Sequence, residues 1–335
     1  MSTFEKVAGF ILIIIICVVA VVVMSVGVSI LSKWAEKRIN PFKKFPRYPK
    51  GETLSNEKQR ALNVGAILAE VNSDFCNSLQ TSKPGAKRTI VNILREDWGI
   101  SSSEDAINIL ERLKCNGHHK IFNLILKKSS EVLAPTHSFE TMRQVYEQVG
   151  FSLLDEEMLE ESEAAITLLE KNIDLLFEAS SFEEIEQNKS LFSDDETFNT
   201  CIGIYSLLIK EYRDYVEYIQ NFKEALPDLR DYGFVGEISE LAKLNVIAWD
   251  MGRMVNVARY CYDCGYLTEN QAWEYIFHAE KESALCYEDW AEFGKAYVIG
   301  RAIWGGKNLN LNVTMRTVET MKKDKASPWG IVGLK

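Results

Sequence analysis

The chain has 335 residues, a formal net charge of −10, and 47% hydrophobic against 26% charged residues. That length and apolar content allow one large or two small domains with a proper core, and they exclude a disordered chain. Residues 1–50 hold 8 basic and 2 acidic side chains, leaving 30 and 46 for the remainder, a net charge of −16. A body so acidic repels phosphate backbones, so no nucleic-acid partner is expected.

From Val7 to Leu31 there are 25 residues without a charge, 17 of them Val, Ile, Leu or Phe. As a helix they would span roughly 37 Å, enough for a hydrocarbon core of about 30 Å. The β-branched content favours strand in water. In lipid a lone strand would leave its backbone groups unpaired, so a helix is predicted. The apolar run is too long for a secretory signal and no Ala-x-Ala follows it. Ile14, Ile15 and Ile16 before Cys17 argue against lipoprotein processing. Lys33, Lys37, Arg38, Lys43, Lys44, Arg47 and Lys50 follow the span, against Lys6 and the amino terminus before it. This asymmetry predicts a single-pass protein with its C-terminal domain in the cytoplasm and Trp34 at the interface.

Pro41, Pro46 and Pro49 mark residues 32–54 as an extended basic stem rather than a helix. Its cations would be drawn to anionic headgroups. From about Ser55 a helical pattern carries Leu62, Ala66, Ala69 and Leu79, ending before Lys83-Pro84-Gly85. Ser102 with Asp105, and Thr268 with Gln271, have the spacing of helix-start capping boxes. No proline lies between Pro135 and Pro227, and three-and-four spacing recurs at Ile166, Leu169, Ile173 and Leu176, then at Tyr205, Leu208, Tyr212 and Tyr215. Residues 155–196 hold 15 acidic and 2 basic side chains without Glu-x-x-His or calcium-loop spacing, which reads as a solvated helix face. No run of alternating strands occurs. The expected fold is therefore all-α, a multi-helix globular domain preceded by one transmembrane helix.

The C-terminal part carries the densest pattern. A helix is predicted through Trp249-Asp250-Met251-Gly252-Arg253, with an apolar stripe at Met251, Val255, Ala258 and Tyr262. Asp250 and Arg253 lie three apart, within pairing range, and Gly265 should end the helix as a left-handed cap. A later helix places Phe293, Tyr297 and Trp304 near one face. Gly294 and Gly300 allow a neighbour to approach, and Arg301 emerges beside the aromatic surface. The candidate polar cluster is Trp249, Asp250, Arg253, Asn256, Arg259, Arg301 and Trp304. It would be either a pocket for a small anionic ligand, since Arg suits phosphate and carboxylate, or a structural network, since buried charges must be paired.

Other chemistry is weakly supported. Cys261, Cys264, His278 and Cys286 could be drawn as a zinc site, but two lie on one helix and the others on separate turns, so no metal is expected. The seven cysteines are scattered, and free thiols are the expectation in a cytosolic body. His118, His119 and His137 have no partner at catalytic spacing and read as turn or helix-surface residues. The sequence contains no P-loop, Gly-x-Ser-x-Gly, His-Glu-x-x-His or dinucleotide fingerprint, so no cofactor is expected and a non-enzymatic role is favoured.

Trp249-Asp-x-Gly-Arg253, Ala258-Arg259, the Gly265-Tyr turn with Ala272-Trp273, and Trp290-x-x-Phe-Gly294 with Gly300-Arg-x-x-Trp304 closely resemble a bacterial family, domain of unknown function 1266. Trp98-Gly-Ile-Ser-Ser-Ser-Glu-Asp-Ala106 is similar to that family's early helix start. The resemblance implies a family-like core at about 90–306; the helical pattern sets a domain of 55–310 around it, followed by a tail over 311–335. It implies no activity, cofactor or catalytic residue, because none is assigned to the family. Composition and topology then favour a protein-interaction or scaffold module on the cytosolic face of the bacterial inner membrane. The alternative is a small-anion-binding module or enzyme using the Asp/Arg pocket.

Overall fold

Capping side chains next to them in the chain start several of the helices. In the computed structural model, which describes residues 45, 54–81, 87–134, 186–187, 189–191 and 194–335, Ser55 caps helix α1 (Asn56–Asn63) by accepting from the Lys58 amide. Helix α2 (Ala66–Asn72) follows, then α3 (Lys87–Trp98), α4 (Ser103–Cys115), α5 (His119–Lys127) and the single turn α6 (Ser129–Val132). A 3₁₀ turn (Lys189–Leu191) precedes α7 (Asp195–Asp231), which holds Pro227 within it. The rest of the chain forms α8 (Ile238–Leu241), α9 (Ile247–Cys264), α10 (Glu269–Cys286), α11 (Trp290–Gly305), α12 (Leu309–Lys323) and α13 (Pro328–Ile331). Among the described residues there is no strand, and the fold is all-α. The segment Val7–Leu31, most of the basic stem, Ile166–Leu176, His137 and most of the acidic 155–196 stretch lie outside the described residues. Among those described, no helix is long and apolar enough to cross a membrane.

Helix α9 is the axis of the bundle. It packs against α10, α11, α4, α3 and α2, and every residue from Ile247 to Cys261 is buried. The predicted one-sided stripe is therefore too narrow: a helix surrounded by neighbours buries its polar positions as well as its apolar ones. That burial forces Asp250, Arg253, Asn256 and Arg259 to find partners inside the protein. Helix α7 lies along α11, and α12 packs on α11 and α2. Residues 311–335, set apart as a tail on sequence, carry α12 and α13 and bury Leu311, Met315, Val318, Met321 and Trp329. They are continuous with the helical body.

The helix starts at Ser102 and Thr268 form as the spacing requires. Thr268 and Gln271 make a full capping box. At Ser102 the hydroxyl accepts from the Asp105 amide, but the Asp105 carboxylate turns to Ser101, accepting from its amide and its hydroxyl at 2.9 Å each. Gly265 ends α9 at φ 82°, and the Tyr266 amide reaches back to the Cys261 carbonyl. The helix expected across 55–79 is interrupted. Its first part stops at Asn63, Gly65 precedes the second, and residues 73–81 form a loop that includes Leu79. The cause is tertiary. A Cβ at Gly65 would lie 2.6 Å from Val255 and 2.8 Å from the Asn256 amide nitrogen, so α9 crosses tight against this break.

Candidate functional site

Each member of the sequence-derived cluster has a definite place, and the cluster divides into parts. Arg259 is buried on the α2 side of α9, where its guanidinium donates to the carbonyls of Leu79 (3.3 Å), Ser78 (3.0 Å), Gln80 (3.2 Å) and Phe75. One cation thus satisfies four acceptors of a loop that has no ladder of its own. Asp263 completes that clasp by accepting from the Thr81 amide at 3.0 Å and from the Thr81 hydroxyl. Asn256 donates to the Gly65 and Gly252 carbonyls at 2.8 and 3.0 Å. Both residues hold chain to chain, and neither faces the rest of the cluster.

The other part is built around Trp249. Asp250 is fully buried and accepts from the His119 amide (2.7 Å), from His119 Nδ1 (2.8 Å) and from Arg253 Nη2. It therefore caps helix α5 from a position 131 residues away, a role usually filled by a local side chain. A Cβ on Gly117 would overlap this carboxylate, which explains glycine at the approach to α5. Burial alone would raise the Asp250 pKa. The Arg253 charge and the histidine hydrogen bonds outweigh it and hold the group well below the usual carboxylate range.

Arg253 is itself buried and shared. Besides Asp250, its Nη2 approaches His118 Nδ1 at 3.0 Å, while the His118–Asp250 separation is 3.8 Å. The nearer contact makes Nδ1 an acceptor, so His118 is neutral with its proton on Nε2. Burial, which lowers the His118 pKa, acts in the same direction. The Arg253 guanidinium also stacks over Trp249 at 4.6 Å and Trp98 at 5.6 Å from their ring centres. His118 packs against Phe122 and Tyr218 at 5.6 and 6.2 Å. His118 lies in the turn before α5 and His119 opens that helix, as expected, and α9 adds what the spacing did not show: an aspartate and an arginine presented to the α5 terminus. No sequence spacing could reveal this, since the partners are more than 130 residues apart.

On the opposite side of Trp249 lies Arg301, from α11. A Cβ on Gly300 would come within 2.6 Å of the Trp249 Cβ, so this glycine lets α11 close onto α9. Arg301 is 7% exposed, 5.0 Å from the Trp304 ring centre and 6.0 Å from that of Trp249. Its Nη2 donates to Asn308 at 3.3 Å, and no carboxylate among the described residues pairs with it. The buried Nη1 of Arg301 and Nε1 of Trp249 have no hydrogen-bond partner among the described residues. Burial pushes the Tyr297 hydroxyl far above the ordinary phenol range, and the charges of Arg253 and Arg301 partly offset that rise. Trp304, 43% exposed, packs beside both Trp249 and Arg301 at the solvent side of the group.

The match with a family model is decided over this same framework: residues 93–332 match "Protein of unknown function (DUF1266)". The chain belongs to this family. The match starts close to the expected 90 and runs past 306 to 332, taking in α12 and α13 with the helices that carry the cluster. Family membership places Trp249, Asp250, Arg253, Arg301 and Trp304 in the shared domain and leaves their role open. No curated protein and no solved structure shows significant similarity to the chain.

The drawn zinc set does not assemble. Among the described residues no three His, Cys, Asp or Glu side chains are placed to hold a metal. Cys261 is buried, with its thiol pushed up to about 12, whereas Cys286 is exposed and receives the Asn245 amide at 3.5 Å.

Proposed function

We propose that this family member is a membrane-tethered interaction module. In this reading Val7–Leu31 is a single transmembrane helix, residues 32–54 a basic stem on anionic headgroups, and the helical domain a cytosolic body that docks a protein partner at the bacterial inner membrane. The partition of charge carries the proposal: a short basic segment follows a 25-residue uncharged run, and the body beyond it has a net charge of −16. Exposed Trp304 and Leu309, either side of the turn leaving α11, are anchors of the type that protein interfaces use. Two measurements test it. A reporter fused after Lys335 should be active in the cytoplasm, and activity only in the periplasm would overturn the topology. Crosslinking of full-length protein in membranes should trap one partner through Trp304, and a partner yield unchanged in Trp304→Ala would overturn the docking assignment.

A second reading is favoured by the two orphaned donors. Arg301 and Trp249 would bind a small anion, with Arg253 held in place by Asp250 and unavailable to it. Loss of any anion-induced thermal shift in Arg301→Met is expected, and an unchanged shift would sink this reading.

A further inference from the structure

We propose that Arg301 and Trp249 form a site for a monoanionic carboxylate carried on an apolar group, entered by displacement of the Trp304 ring. The proposal rests on the small-anion reading and narrows it to one ligand class.

Three observations lead there. The donors come first. Arg301 Nη1 and Trp249 Nε1 are both buried N–H groups lacking an acceptor among the described residues. Buried polar groups are almost always paired, so two orphaned donors on neighbouring side chains, with the guanidinium 6.0 Å from the Trp249 ring centre, call for an external acceptor. A carboxylate offers two oxygens and accepts without donating, which matches two N–H groups.

Charge sets the valence. Arg253 is neutralised by Asp250, and His118 is neutral because it accepts from Arg253. Among the described residues Arg301 has only the Asn308 amide oxygen, so there the cluster holds one uncompensated positive charge. A carboxylate cancels it. A phosphate monoester, at about −1.5 to −2 near neutral pH, would leave excess negative charge in an already acidic body.

The walls set the rest of the ligand. The packed contact between α9 and α11 carries the rings of Trp249 and Tyr297, 5.2 Å apart, and of Trp304, 5.7 Å from Trp249. A group attached to the carboxylate meets aromatic surface rather than water. Trp249, Tyr297 and Arg301 are closed off, whereas Trp304 is open to solvent at the end of α11, just before Gly305 and Gly306. A Cβ at Gly305 would overlap Arg301 Nη1, so glycine there leaves the guanidinium its seat.

The test uses the full-length protein in detergent, read by intrinsic tryptophan fluorescence and thermal shift. The probes are hexanoate, hexanol, inorganic phosphate, and a short apolar peptide with either a free or an amidated C-terminus. Hexanoate should bind saturably and hexanol should not, and Arg301→Met should weaken hexanoate by about tenfold or more. Hexanol and hexanoate acting alike on the wild type would overturn the proposal even if the variant failed to fold. Arg301-dependent binding of phosphate in preference to hexanoate would overturn the carboxylate class and leave the anion reading standing. No Arg301-dependent binding of any anion would remove both. Tighter binding of the free-acid peptide than of hexanoate would make a polypeptide terminus the source of the carboxylate. The reverse order would make it a free acid, and equally tight, saturable binding of the free and the amidated peptide would overturn the proposal.

Discussion

Replacing Asp250 by Asn keeps the shape of the side chain and removes the charge on which three groups depend. Arg253, buried against Trp249 and Trp98, would lose its only carboxylate among the described residues. The start of α5 would keep an amide oxygen as a cap but lose the charged acceptor for His119. Removing one partner of a buried ion pair costs about 3–5 kcal/mol, because the other charge stays buried without compensation. At about 2 °C per kcal/mol for a body of this size, the melting temperature should fall by about 6–10 °C. Chemical and thermal denaturation of the purified chain would measure this, with Arg253→Met and the double variant completing a cycle. The double variant should recover stability relative to Asp250→Asn, since it removes the stranded guanidinium. A loss below about 1 kcal/mol for Asp250→Asn, or strict additivity in the cycle, would refute the claim that this pair organises the α5–α9 junction.

Three further outcomes follow from the same contacts. His118 is held neutral in the folded state with its pKa lowered, so its contribution is complete above its unfolded value near 6.5 and is lost as pH falls below it. A plot of stability against pH should therefore slope downward into the acid range, and His118→Asn, which keeps an acceptor near the Nδ1 position, should flatten that part of the curve. Gly252→Ala would place a Cβ 2.6 Å from the Tyr297 ring and 3.2 Å from the Val64 carbonyl, costing about 1–3 kcal/mol in denaturant titrations. Thr268→Ala removes the hydroxyl half of a complete capping box and should cost about 1 kcal/mol, visible as earlier unfolding by circular dichroism.

Features that depend on near neighbours in the chain were legible in the sequence. Thr268 with Gln271 announced a helix start, Gly265 a helix end, and the three-residue spacing of Asp250 and Arg253 an ion pair. Gly294 and Gly300 announced close approach, and each faces an aromatic ring, of Trp329 and Trp249 respectively. Features that depend on the crossing of distant helices were not legible. Nothing near Gly65 in the chain says that Val255 and Asn256 will press on it. His118 and His119 have their charged partners on α9, out of reach of any local pattern. The division of the arginines was equally hidden: Arg253, Arg259 and Arg301 look alike in a sequence, yet one is paired, one clasps a loop, and one keeps an orphaned donor.

A comparison of two substitutions reads this division of the arginines most directly. Arg253→Met and Arg301→Met both remove a buried guanidinium and keep an apolar stem of similar length. Arg253→Met, which strands Asp250, should lose about 3–5 kcal/mol, and Arg301→Met, which strands no charge, should change by no more than about 1 kcal/mol. Equal losses in the two variants would contradict this division, because Arg301 would then be part of the framework and not a group waiting for a ligand.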